Sequence, residues 1–116
     1  MLPAPETIDH LTQMLADATE VRALVCSRPI DALADDRVTC LAVERLLQRI
    51  ADTAGRIDAT ARDSLPGVPW QRLEQLRRTV ATDHRAVDPR LLYAIGSRDA
   101  PELIKALQTA LPSDDD

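Results

Sequence analysis

The sequence predicts an all-α fold, an up-and-down bundle of four long helices with one short linking helix, and three observations predict it. Aromatic residues make up 2% of the chain and Phe is absent, so the core is Leu, Ile, Val and Ala, which pack well between helices. Sheets draw more on aromatic and β-branched residues. Three Gly leave few tight hairpin turns. Apolar residues recur at the three- and four-residue spacing of a helix. At 116 residues the chain is read as one small domain, residues 1–111, followed by an acidic tail, residues 112–116.

The elements follow in order. Ile8, Leu11, Leu15, Ala18, Val21 and Val25 form one stripe and predict a helix over residues 5–26, opened at Glu6 or Thr7. Asp9, Asp17 and Arg22 are placed on its polar face, and His10 is read as a residue without a role. Pro29 starts a short helical turn, I-D-A-L-A-D, and Asp35 or Asp36 caps the next helix. There Val38, Leu41, Val43, Leu47, Ile50, Ala54, Ile57 and Ala61 predict a helix of about 26 residues. Gly55 inside it costs roughly 1 kcal/mol against alanine and is read as a place for close helix approach.

Residues 64–69, S-L-P-G-V-P, form a loop. Pro69 then fits the start of a helix carrying Trp70, Leu73, Leu76 and Val80, which ends at Asp88 because the residue before a proline leaves the helical region. Pro89 opens the last helix, with Leu91, Leu92 and Ile95 on its apolar side. Gly96 to Asp99 interrupt it, and Asp99-Ala100-Pro101-Glu102 reads as a fresh start, so a kinked or broken helix is expected. Leu103, Ile104, Leu107 and Leu111 continue the stripe and Pro112 stops it.

Charge is unevenly spread over a chain whose net value is −5. Residues 69–98 hold six Arg against Glu74, Asp83 and Asp88, whereas the flanking regions are acidic. The helix beginning at Trp70 is thus a local cationic region, and arginine's planar fork suits phosphate. Net −5 is poor for duplex DNA, and no helix-turn-helix spacing is present. Cys26 and Cys40 lie fourteen apart with no zinc-binding pattern. No apolar run approaches a membrane span, and the first residues lack a secretion signal, so the expected setting is cytoplasmic. A lean core also predicts burial of a further face against a second copy.

The chemistry concentrates at Arg77 and His84. Seven helical positions return to within about 20° of the same face, so the two share a side of the helix. The imidazole can move the 2′-hydroxyl or leaving-group proton of RNA. The guanidinium can hold negative charge developing on the phosphate. Arg78, Thr82 and Arg85 are candidate substrate-binding groups, with Asp52 of the preceding helix in support. As a bare pattern Asp52 is equally an exposed carboxylate beside Arg49 or Arg56. No metal and no cofactor is called for.

Two stretches of this sequence resemble the helical HEPN domains, and HepT proteins above all. Pro69-Trp70, Leu73, Leu76-Arg77 and Val87-Asp88 match a P-W-x-x-L-x-x-L-R-N-x-x-x-H-x-Y-x-x-V-D-like run in order and spacing. Ala42-Val43-Glu44-Arg45, Leu47, Ile50 and Ala54 are similar to the family's A-V-E-R-x-L-E-x-I-G-E-A-A run. The resemblance implies a four- to five-helix HEPN-like bundle that dimerises. It also implies an R-x(4–6)-H motif at the dimer cleft that cuts RNA without metal. HepT members are toxins held in check by a partner nucleotidyltransferase, in some systems through adenylylation of the tyrosine two residues after the histidine.

This chain departs from that pattern. Thr82 stands at the histidine position, His84 at the tyrosine position, Arg78 at the asparagine, and Asp52 and Ala51 at the glutamate and glycine. Tyr93 falls at a position where the family often has tryptophan and is read as core. Two readings stay open. In one, His84 has taken over proton transfer and the chain is a ribonuclease toxin. In the other, the cleft has decayed and the chain serves as an antitoxin or binding subunit of a nucleotidyltransferase.

Overall fold

The computed structural model describes residues 3–81 and 87–112. Among the described residues there are helices and short linkers and no strand: α1 (Pro5–Cys26), α2 (Ile30–Ala34), α3 (Arg37–Gly55), α4 (Ala59–Asp63), α5 (Trp70–Ala81), α6 (Pro89–Ala94) and α7 (Ala100–Ala110). The predicted all-α class is the observed one.

α1 has the expected bounds but a different opening. Pro5, rather than Glu6 or Thr7, takes the first turn, where its missing N–H would have had no partner. Leu11, Met14, Ala18, Val21 and Val25 are fully buried. Asp17 is buried too, at 3% exposure, against the expectation of a polar-face residue. The reason is that α1 packs against both α3 and α7, so more than one stripe is covered. The Asp17 carboxylate accepts a hydrogen bond from Gln13 Nε2 at 3.0 Å and lies 3.4 Å from Arg49 Nε on α3.

α2 packs on α3 and α6 and buries Leu33 fully. The cap of α3 is Asp36, whose Oδ1 accepts the Thr39 N–H at 3.0 Å. α3 then buries Val43, Leu47, Ile50 and Ala54. Its length corrects the expected 26-residue helix. It ends at Gly55, and Asp58, in extended backbone, caps the separate short helix α4 through its Oδ1 and the Ala61 N–H at 2.8 Å. The apolar spacing runs on across this break because Ile57, 3% exposed, still faces the core.

α5 runs back along α3. Its start is held at the α3 end by Trp70 and Arg62, while Glu44, near the middle of α3, meets Val87 beyond the helix. The expected continuation of this helix toward Asp88 crosses residues 82–86, which lie outside the described residues. Asp88 is extended and caps α6, its Oδ1 accepting from the Arg90 N–H at 2.9 Å.

The final helix is not broken. A π-helical turn, Ile95–Asp99, joins α6 to α7 with no residue leaving helical backbone. Pro101 supplies the reason: it has no N–H for the carbonyl four residues back, and a wider turn relieves that missing bond. The close helix approach expected at Gly55 occurs here instead. A Cβ on Gly96 would stand 2.5 Å from Val25 Cγ2 of α1, whereas one on Gly55 would meet only Arg77 Nη1 at 3.7 Å. Tyr93 is half-buried and packs against the core. α7 ends at Ala110, ahead of Pro112, and residues 113–116 lie outside the described residues.

Candidate active site

The site begins with what fixes the start of α5. Arg62 of α4 donates from Nε to the Ile57 carbonyl and from Nη2 to the Ala54 carbonyl, each at 2.9 Å. Ala54 lies in the last turn of α3 and Ile57 just past its end, and a cation suits the negative end of a helix. The same guanidinium lies 5.5 Å from the centre of the Trp70 ring, a cation–π contact worth on the order of 0.5–1 kcal/mol. Trp70 Nε1 donates to the Leu65 carbonyl at 2.9 Å. Helix α3, the loop and the first turn of α5 are thereby tied at one corner.

From that corner α5 lays Leu73 and Val80 into the core, with Trp70 and Leu76 half-buried beside them. Arg77 falls four residues after Leu73 and three before Val80. Its side chain rises at the edge where α5 meets α3. It is exposed, and its Nη1 faces bare backbone at Gly55. Asp52 is exposed one turn earlier on α3. No ion pair joins Asp52 to Arg77, so the expected supporting carboxylate is not paired with the arginine. Arg78 is exposed on the next position round α5. Thr82, His84 and Arg85 lie outside the described residues.

The cationic residues of α5 divide by side. Arg72 points toward α7 and pairs with Glu102 at 2.6 Å and Asp99 at 3.6 Å. These pairs are exposed and worth roughly 0–1 kcal/mol. They stand at the rim of a groove of about 340 Å³ floored by Leu47, Ile50 and Leu73. None of Arg77, Arg78 and Asp52 lines that groove, so it is not the candidate site. Among the described residues no group of three or more His, Cys, Asp or Glu side chains could hold a metal ion. No described helix is long and apolar enough to cross a membrane.

The same edge carries a residue that sequence reasoning passed over. Glu44 of α3 is 8% exposed, and its Oε1 accepts the backbone N–H of Val87 at 3.2 Å. The available signal was a glutamate between Val43 and Leu47 in an apolar stripe. Arg62 had no such signal, because its partners are backbone carbonyls five and eight residues away that it reaches only once α3 stops at Gly55.

The model of the ribonuclease HepT-like family matches residues 14–110, from the middle of α1 to the end of α7. The chain belongs to the HepT-like ribonuclease family. No curated protein and no solved structure matches it. The HepT-like match takes in both resembling stretches, and with them Asp52, Arg77 and His84. It agrees with the all-α architecture in which α3 and α5 lie side by side.

Proposed function

We propose that this HepT-like chain is a metal-independent endoribonuclease toxin of a toxin–antitoxin module. In this reading it acts in the cytoplasm as a homodimer and is neutralised by a cognate nucleotidyltransferase. The observation that carries the reading is Arg77: within a chain of the ribonuclease family, its guanidinium is exposed beside Gly55 of α3 and, among the described residues, joined to no carboxylate. A phosphate is the partner such a group suits.

In the proposed reaction the 2′-oxygen of RNA attacks the adjacent phosphorus and gives its proton to an imidazole acting as base. The bond from phosphorus to the 5′-oxygen breaks, and that oxygen takes a proton from an imidazolium. The products are a 2′,3′-cyclic phosphate and a 5′-hydroxyl. His84 from each of two copies supplies the base and the acid. Arg77 neutralises the charge that develops on the phosphoryl oxygens. Arg78, Thr82 and Arg85 contact the strand, and Asp52 orients Arg77. The second reading, an antitoxin or binding subunit with a decayed cleft, draws on Thr82 and His84 standing where the family has histidine and tyrosine.

The test is cleavage of a mixed RNA pool in EDTA by wild type, Arg77→Ala and His84→Ala. Wild type is expected to cut, leaving cyclic phosphate ends. Each variant is expected to lose on the order of 100- to 1,000-fold in rate. Intact RNA with the folded wild type would overturn the enzyme. Protection of cells from a neighbouring nucleotidyltransferase would then favour the second reading.

A further inference from the structure

We propose that the exposed face of α3 is the surface on which a single RNA strand lies as it approaches Arg77, an inference that rests on the ribonuclease reading above. Positions 38, 41, 45, 49, 52 and 56 recur every three or four residues and fall within about 80° of arc, so they form one stripe along the helix. All six residues are exposed. Two contacts fix where the stripe lies. Arg49 Nε stands 3.4 Å from the Asp17 carboxylate of α1, which marks one margin. Arg77 Nη1 of α5 lies 3.7 Å from the place a Cβ on Gly55 would take, which marks the other. The stripe is thus the outer face of α3 between α1 and α5, and Arg77 reaches its edge beside Arg56.

The stripe changes chemistry along its length. Its C-terminal half carries Arg45, Arg49 and Arg56 against one acid, Asp52, on a chain of net charge −5. Asp17 already occupies Arg49. Arg45 reaches only the neutral Gln48, at 3.4 Å, and among the described residues neither Arg45 nor Arg56 pairs with a carboxylate. These two guanidiniums stand about 16 Å apart along the helix, with Arg77 at the Arg56 end. Cations set out in that line match the spaced phosphates of one strand, and each contact releases a counterion. The N-terminal half is apolar, with Val38 78% and Leu41 47% exposed. That half selects a strand over a duplex. A duplex turns phosphates and 2′-hydroxyls outward and hides its base faces, whereas a single strand offers its bases too. Bare aliphatic surface next to guanidiniums suits the single strand.

The experiment measures binding apart from cleavage. The ligand is a labelled single strand of roughly 12 nucleotides with 2′-O-methyl sugars, which cannot be cut, titrated by fluorescence anisotropy over a series of salt concentrations. Wild type is compared with the double variant Arg45→Gln/Arg56→Gln. A second double variant, Arg22→Gln/Arg98→Gln, makes the same charge change at exposed arginines off the stripe. All are checked for folding by circular dichroism. The stripe variant is expected to bind on the order of tenfold more weakly, with a slope of log K against log salt smaller by about 1.4. On cleavable RNA its KM is expected to rise by a similar factor with kcat little changed. The control variant is expected to stay within a few-fold of wild type, and the annealed duplex to bind more weakly than the strand. A stripe variant with wild-type affinity and slope, a control variant equally impaired, or a duplex bound as tightly as the strand overturns the inference. So does a stripe variant that keeps RNA but loses a cognate nucleotidyltransferase, which would give this face to a protein. Wild type that binds the strand through the stripe yet leaves RNA uncut sinks the ribonuclease reading and spares the surface.

Discussion

Asp36 shows what a single side chain contributes. Its carboxylate accepts from the Thr39 hydroxyl at 2.7 Å, the Thr39 N–H at 3.0 Å and Arg28 Nη1 at 2.6 Å. These bonds, the Thr39 hydroxyl first, lower its pKa from 3.8 to about 2. A group whose folded pKa is depressed stabilises the fold above its unfolded pKa and loses that effect as pH falls through the folded value. The expected window is therefore about pH 4 down to about pH 2. Asp36→Asn should flatten the acid limb of Tm against pH across that window, followed by circular dichroism. An unchanged limb would show that the cap does not couple folding to protonation. Asp36 was legible as a cap because capping is local: an acid three residues before the N–H it satisfies needs no tertiary information. Asp17 was illegible for the opposite reason. Its burial is set by α3 and α7, which cover α1 from two sides.

At the scale of the element, periodicity reads faces well and ends poorly. The α1 and α5 stripes pointed inward as their spacing predicted. The apolar pattern through Ile57 and Ala61 hid the stop at Gly55, because packing continues where the helix does not. The two glycines carry a prediction in opposite directions. Gly96→Ala forces a Cβ to within 2.6 Å of Val25 Cβ as well as 2.5 Å of its Cγ2, so α1 and the π-helical turn must separate. A loss of about 1–3 kcal/mol is expected in urea unfolding, with part recovered by adding Val25→Ala. Gly55→Ala meets only an ordinary contact and is expected to leave stability unchanged or raise it by about 0.4–1 kcal/mol. Equal effects of the two substitutions would remove the packing account of the final helix.

Over the whole molecule, α3 is central to the arrangement. It packs on α1 and on α5, and it sets Gly55 against Arg77 and Glu44 against the Val87 N–H. Of the cationic residues of α5, Arg72 is paired toward α7, and Arg77 and Arg78 are exposed on a chain of net charge −5. The proposed cleft needs two copies. Sedimentation should accordingly find a species of two chains, and the cleavage rate per chain should fall on dilution below its dissociation constant. A rate per chain constant down to the monomer range would place the whole reaction within one copy.

Composition and spacing were enough for the all-α class, the inward faces of α1 and α5, an acidic cap at Asp35 or Asp36 and the cationic run after Trp70. Each of these follows from interactions within a few residues along the chain. Val38, Leu41 and Leu91, expected on apolar faces, are exposed instead. The family was legible too in the two resembling stretches, and its model matches residues 14–110. Only the folded chain decided that Asp17 and Glu44 are buried, that Arg62 closes α3 while bracing Trp70, and that Gly96 is where two helices touch. Those outcomes depend on which surfaces meet across tens of residues, and a side chain's own sequence neighbours do not carry that information.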